Sequence, residues 1–224
     1  NLYLFDPATL TTADYGFLPT TYEPYGFCMG RRDDGFYLVV TTKAGTVHQM
    51  SVADGPQGPV IGPERVLTLG SQLEGCVVYD AADMVYVGEE DVGVWRFVFD
   101  PSGPTNALEV AGVDRIRIKD DVEGLTILQD RGVDYLIISS QGDSTYPVYR
   151  IQGQRHFYVG RFAIVDGPTI DGVTQTDGLS AFSGPIGPFP EGAIAFHDHE
   201  DAPHPGQQNF KIVDWRVIRE ALGL

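Results

Sequence analysis

The feature that most constrains this chain is a short motif that returns about every fifty residues. Tyr25-Gly26-Phe27, Glu74-Gly75-Cys76, Glu123-Gly124-Leu125 and Asp177-Gly178-Leu179 each open a short apolar segment. Their glycines are spaced by 49, 49 and 54 residues. After each motif comes a turn and a second β-rich run: Phe36-Tyr37-Leu38-Val39-Val40, Met84-Val85-Tyr86-Val87, Tyr135-Leu136-Ile137-Ile138 and Ala193-Ile194-Ala195-Phe196. A third run follows: Val47-His48-Gln49-Met50, Val94-Trp95-Arg96-Phe97, Val148-Tyr149-Arg150 and Phe210-Lys211-Ile212-Val213. A more variable fourth segment leads to the next motif. Four short antiparallel strands in a repeat of roughly 40–50 residues describe a propeller blade. The predicted fold class is therefore all-β, a β-propeller architecture. The 27 Gly and 15 Pro supply the turns such a fold needs. No linker or composition shift divides residues 1–224, which read as one domain.

The two ends of the repeat carry their own expectation. Asn1-Leu2-Tyr3-Leu4-Phe5-Asp6 is similar to the third strand Trp95-Arg96-Phe97-Val98-Phe99-Asp100. The last module reaches a third strand and shows no evident fourth. The sequence is thus expected to supply roughly four to four and a half blades, and to begin and stop inside blades. About a hundred preceding residues, two blades on this period, are expected to close the ring. A four-bladed ring whose two ends share one blade is the alternative. The only helical candidate is Asp214-Trp215-Arg216-Val217-Ile218-Arg219-Glu220-Ala221-Leu222, capped by Asp214 or else a frayed tail.

Charge narrows the partners. Lys plus Arg number 15 and Asp plus Glu 31, a net charge of −16. A field of that sign repels nucleic acid and anionic membranes, so neither is an expected partner. No apolar run approaches the ~20 residues needed to cross a bilayer. Acidity alone describes a solvated surface, and it becomes a cation site only where carboxylates converge. Cys28 and Cys76 leave the compartment open: the two could pair, and small buried thiols are the preferred reading.

Topology supplies the convergence. In a blade the first two strands are antiparallel, so the start of the first and the end of the second share one mouth. Glu74 should lie near Glu89-Glu90-Asp91, Glu123 near Gln141-Gly142-Asp143, Tyr25 near Lys43, and Asp177 near His197-Asp198. Rotational repetition then gathers these groups around one opening. Like charges raise one another's pKa, and hard cations with oxygen ligands relieve that repulsion. Zinc is poorly supported, because the cysteines lack its ligand spacing. Trp95, Tyr86 and Tyr149 read as packing residues, and Asp33-Asp34-Gly35 and Asp130-Arg131-Gly132 as hairpin turns alone. Arg155-His156 reads as strand surface.

Gln72-Leu73-Glu74-Gly75-Cys76 through Val87-Gly88-Glu89-Glu90-Asp91-Val92-Gly93-Val94-Trp95 resembles the calcium-dependent β-propeller phytases. So do Asp121-Val122-Glu123-Gly124-Leu125-Thr126-Ile127, Ser139-Ser140-Gln141-Gly142, Ile170-Asp171-Gly172 through Thr176-Asp177-Gly178, and Gln208-Asn209-Phe210-Lys211-Ile212-Val213 with Trp215. The similarity runs in order through almost the entire chain. It implies a six-bladed propeller, secreted or periplasmic, that releases phosphate from phytate with several calcium ions and metal-activated water. It implies that Tyr25, Glu74, Glu90, Glu123 and Asp177 are calcium ligands or their close supports, with Asp121 and Gln141 nearby. Asp171 resembles a ligand of a structural calcium, Asp198 keeps a family position, and Lys43 resembles a cation that contacts substrate phosphate. Glu74, Glu90, Glu123, Asp177 and Lys43 would carry catalysis. The sequence departs from the pattern around His197-Asp198-His199-Glu200-Asp201, at Gln175 where many relatives carry an acid, and in lacking the early basic segments of the family. Rival readings are another calcium propeller hydrolase, such as a lactonase or phosphotriesterase, and a non-catalytic propeller that calcium only stabilises.

Overall fold

The computed structural model describes residues 1–202 and 204–224, and it is built almost entirely from antiparallel strands. β1 (Leu2–Asp6) and β2 (Thr11–Gly16) form a two-stranded ribbon. β3 (Gly26–Arg32), β4 (Gly35–Thr41), β5 (Thr46–Gly55) and β6 (Gly58–Thr68) make the first four-stranded meander. The second comprises β7 (Leu73–Tyr79), β8 (Met84–Glu89), β9 (Gly93–Val98) and β10 (Leu108–Gly112). The third comprises β11 (Val122–Asp130), β12 (Val133–Ser140), β13 (Tyr146–Gln152) and β14 (Arg155–Phe162). β15 (Leu179–Ser183), β16 (Gly192–Asp198) and β17 (Asn209–Asp214) form a three-stranded sheet, followed by helix α1 (Trp215–Leu222). Strands pair in chain order within every sheet, so each expected first, second and third strand takes its place in one repeat. Among the described residues no helix is long and apolar enough to cross a membrane.

The second strands explain the packing. Alternate side chains of a strand point to opposite faces, and here both faces are covered. Tyr37 and Val39 of β4 join Val85, Val87 and Phe97 in a core between the first and second meanders, while Leu38 and Val40 turn the other way towards Leu2, Leu18 and Tyr22. In β8, Val85 and Val87 face that first core, and Met84 and Tyr86 face Leu125, Leu136, Ile138 and Tyr149 of the third meander. Tyr135 and Ile137 of β12 pack with Ile194, Phe196 and Trp215. Burial on both faces accounts for the unbroken apolar runs of these strands. Each fully buried Leu, Ile, Val or Phe contributes about 1.5–3 kcal/mol relative to exposure. Tyr86 and Tyr149 are core residues as expected.

Asp214 caps α1 by accepting from the Arg216 amide, and Trp215 and Ile218 are buried, so the C-terminal segment is a docked helix rather than a frayed tail. Three expectations are corrected. Cys28 of β3 and Cys76 of β7 form a disulfide between neighbouring sheets, because the two first strands run side by side where a free pair of thiols was preferred. Asp130 does more than make a turn: it accepts from the guanidinium of Arg219, tying the hairpin to α1. His156 is not bare strand surface, since its Nε2 lies 2.8 Å from the Tyr86 hydroxyl of the preceding sheet.

Candidate metal centre

The repeated glycines create the site by closeness. A Cβ on Gly26 would lie 1.8 Å from the Glu74 carbonyl oxygen, and one on Gly75 would lie 2.1 Å from that of Glu123. One on Gly124 would lie 2.8 Å from the Asp177 carbonyl, which accepts from the Gly124 amide at 2.7 Å. Each glycine thus lets the next first strand approach to a distance no side chain permits. The Thr41 hydroxyl donates to the Glu74 carbonyl at 2.6 Å, and the Ser139 hydroxyl to the Thr176 carbonyl at 2.7 Å, locking second strands to the neighbouring sheet. Register shifts fall at Leu73/Cys76 and Val122/Leu125, so Glu74-Gly75 and Glu123-Gly124 both sit at bulges. Bulges re-aim side chains, and these aim two acids at one point.

That point is a carboxylate cluster. Glu74, Glu90 and Glu123 each present an oxygen, all within 4.8 Å of one another. The Glu90 backbone is fixed on both sides, its amide donating to Gln72 and its carbonyl accepting from Val122. The Gln72 side-chain amide holds the Glu90 carboxylate. Glu123 is 6% exposed and its Oε2 has no hydrogen-bond partner. Burial, then the hydrogen bond with Glu74 and the charges of Glu74, Glu90 and Asp177, push its carboxyl up to about 9. Glu90 is raised as well, first by burial and then by Glu74, Asp121 and Asp91, against the Gln72 bond that lowers it. Three convergent carboxylates, one with an orphaned buried oxygen, form an oxygen-only donor set that fits a hard divalent cation and poorly suits a soft one.

Two expected pairings, Tyr25 with Lys43 and Asp177 with His197, are seen among the surrounding groups, and Gln141, expected beside Glu123, bonds to Asp177. Tyr25, Glu74, Gly124 and Asp177 line one opening of about 240 Å³. The Lys43 ammonium lies 4.1 Å from the centroid of the Tyr25 ring. The Tyr25 hydroxyl is raised above its ordinary range by burial of its polar end, by a bond to Glu74 and by the nearby acids. The Asp177 carboxylate accepts from the Gln141 side chain at 2.7 Å and lies 3.4 Å from His197 Nδ1. Asp121 accepts at its carbonyl from the Gln141 amide, and its carboxyl is raised by burial and then by Asp120 and Asp91.

Two candidates stand apart. Asp171 and Asp198 both bind the Lys211 ammonium, Asp171 at 2.8 Å, and Lys211 also donates to the Gly172 carbonyl at 2.6 Å. Asp198 is fully buried and further accepts from the amide and hydroxyl of Thr174. Within Glu89-Glu90-Asp91, only Glu90 reaches the cluster. Glu89 points the other way and accepts from Gly70 N, Ser71 Oγ and Trp95 Nε1, as strand alternation requires. His199 lies just past the end of β16, and its ring is 6.4 Å from that of His197, as suits residues two apart on one side of an extended chain. Gln72 was not among the expected site residues. Its signal lay in parity: it precedes Glu74 by two positions and so shares its face.

Fold and site together define a class: stacked antiparallel sheets whose glycine-bearing first strands converge on a hard-cation carboxylate cluster. The chain belongs to the phytase family, whose Phytase family model matches residues 11–224. It is 38% identical over 209 residues to the 3-phytase of Bacillus subtilis (strain 168), covering 90% of this chain and 54% of the relative. The chain therefore spans about half the length of that curated relative. Among solved structures, a crystal structure of BBS1N in complex with ARL6DN, soaked with mercury, aligns with a TM-score of 0.52 and 14% identity. That alignment covers 94% of this chain and 56% of the other, and the likeness is one of fold alone.

Proposed function

We propose that the full-length protein is a calcium-dependent phosphomonoester hydrolase that releases phosphate from phytate. The observation that carries this reading is the convergence of Glu74, Glu90 and Glu123 within 4.8 Å, with the Glu123 Oε2 left unpartnered. Family membership and the relative's name, 3-phytase, support the substrate. Calcium fits because it accepts irregular sites of six to eight oxygens, and a carboxylate cluster with a nearby phenol and amide offers such a set. Glu74, Glu90 and Glu123 would hold it, with Asp177, Asp121, Gln141 and Tyr25 in support. When bound, calcium would neutralise phosphate charge and activate water for attack on phosphorus. Lys43, held over the Tyr25 ring, would steady a phosphate group as a compact point charge. Without a counter-ion, an acidic mouth would repel a polyphosphate, so the cluster and its cation act as one recognition unit.

This chain would supply four to four and a half blades of a six-bladed ring, and the remaining blades would come from the rest of the protein. Phe27 and Phe36 stand exposed on one outer face of the array, and Phe210 and Ile212 on the other, which supports sheets packing there. Secretion or export to the periplasm agrees with a disulfide, which persists in oxidising compartments. The test is phosphate release from phytate by the full-length protein, with calcium present and after stringent chelation. Chelation should abolish turnover and calcium should restore it; undiminished release without calcium refutes the reading.

A further inference from the structure

The turn that carries Lys43 is anchored by a chain of polar side chains that reaches well away from the carboxylate cluster. Residues 42–45 join β4 to β5, and Gly45 takes a left-handed φ of 80°. A Cβ at Gly45 would lie 2.9 Å from the Ser71 carbonyl, so this turn is pressed against the segment leading to Glu74. The Thr42 and Thr46 hydroxyls lie 2.7 Å apart. Thr46 Oγ1 lies 2.9 Å from His48 Nε2, and His48 Nδ1 lies 3.0 Å from Glu64 Oε1. The Tyr22 hydroxyl donates to the same Glu64 oxygen, and the Tyr22 ring stacks on His48 with centroids 3.6 Å apart. His48 is 8% exposed, and both ring nitrogens are committed.

The direction of this chain follows from Glu64. A carboxylate only accepts, so neutral His48 carries its proton on Nδ1 and accepts at Nε2. Thr46 must then donate to His48, which leaves its oxygen free to accept from Thr42. One carboxylate thereby sets a tautomer, the tautomer sets the Thr46 rotamer, and Thr46 sets Thr42, the residue before Lys43. The Lys43 side chain is exposed, and among the described residues its ammonium has no carboxylate within 4.0 Å; it lies over the Tyr25 ring. A long, unpaired ammonium is a useful phosphate contact only where its backbone is fixed, because ordering it on binding costs side-chain entropy.

We infer that His48, oriented by Glu64 and Tyr22, is a positioning residue that fixes the Lys43 turn for binding of the phosphorylated substrate. The inference rests on the phytase reading above and goes beyond it, since none of these three residues belongs to the carboxylate cluster.

The experiment uses the full-length protein and its His48→Leu, Glu64→Gln and Lys43→Met variants. Steady-state kinetics on phytate and calorimetric titration with calcium alone are measured for each, with thermal unfolding as a control. His48→Leu should raise KM about threefold to tenfold, the effect of losing a positioned hydrogen bond. Its kcat should stay within about twofold, since an interaction that acts in binding alone changes KM. Lys43→Met should raise KM further, and adding His48→Leu to it should change nothing more. Glu64→Gln keeps an acceptor for Nδ1–H and should stay near wild type. Calcium affinity should be the same in all of them. An unchanged KM in a folded His48→Leu protein overturns the inference, as does a loss of calcium affinity that accompanies the KM change. If His48→Leu fails to fold, Glu64→Ala, which removes the acceptor at a half-exposed site, must raise KM in the same way or the inference falls. A wild type with no calcium-dependent turnover instead defeats the phytase reading, and this inference with it.

Discussion

Gly75 and the carbonyl of Glu123 are in such close approach that a methyl group on Gly75 would sit 2.1 Å from the carbonyl oxygen. The same relation links Gly26 to Glu74 and Gly124 to Asp177, so one small residue per repeat sets the distance between first strands. The acids meet because the backbones meet.

Gly75→Ala should therefore disturb both stability and metal binding. The added methyl faces backbone, which cannot rotate aside, and overpacking of this kind costs about 1–3 kcal/mol or more. Thermal unfolding and calcium titration should fall together. Gly178 is the informative partner, because nothing lies within 4 Å of a Cβ placed there. If a further first strand closes the ring against it in the full-length protein, Gly178→Ala will cost as much as Gly75→Ala. An unchanged melting temperature would count against closure at that edge.

Glu123 predicts a pH-dependent need for cation. Its carboxyl is raised from 4.5 to about 9, so between those values the folded, metal-free protein binds a proton that the unfolded chain has lost. Stability of the metal-free protein should then fall as pH rises through this window and level off above it. A divalent cation competes with that proton, so calcium should bind more tightly and stabilise more as pH rises. Melting temperatures across pH, with calcium and with chelator, measure both slopes. Glu123→Gln should flatten the metal-free slope and remove most of the calcium-induced increase.

Lys211→Met should unfold the protein more readily without emptying the carboxylate cluster of its affinity. The substitution leaves the fully buried Asp198 without its ammonium partner, and breaking a buried pair costs about 3–5 kcal/mol. Denaturant unfolding reads the loss. Calcium titration under native conditions should be unchanged if Asp171 and Asp198 serve Lys211 rather than the cluster.

His156 sets an acid limit of its own. Burial, and then the charge of Arg96, lower its pKa from 6.5 to about 4. Between these values the unfolded chain binds a proton that the folded protein refuses, so stability should be lost as pH falls from about 6.5 towards 4. His156→Phe removes that contribution, and its unfolding should depend less steeply on pH across the same window. An identical slope in the two proteins would show that carboxylates alone govern acid unfolding.

Much of the architecture was legible in the chain because its causes are local. The glycine period, the strand alternation and the Asp214 cap each act over a few residues, and they place Glu74, Glu123 and Asp177 at the starts of first strands. The pairing of Lys43 with Tyr25 and of His197 with Asp177 followed from the antiparallel turn of each repeat, whereas the bond from Gln141 to Asp177 crosses between repeats. The glycines themselves were read as strand openers, and their stronger role in close approach was hidden, because it depends on the neighbouring sheet.

By itself, then, the order of residues determined a repeating meander and the end of each meander that carries acid, since both follow from periodicity along one strand. The tertiary structure decided which acid of Glu89-Glu90-Asp91 enters the cluster, that Cys28 bonds to Cys76, and that Lys211 holds Asp171 and Asp198 together. Those outcomes depend on distances between sheets, and such distances arise only when alternate faces of each strand are packed against the next.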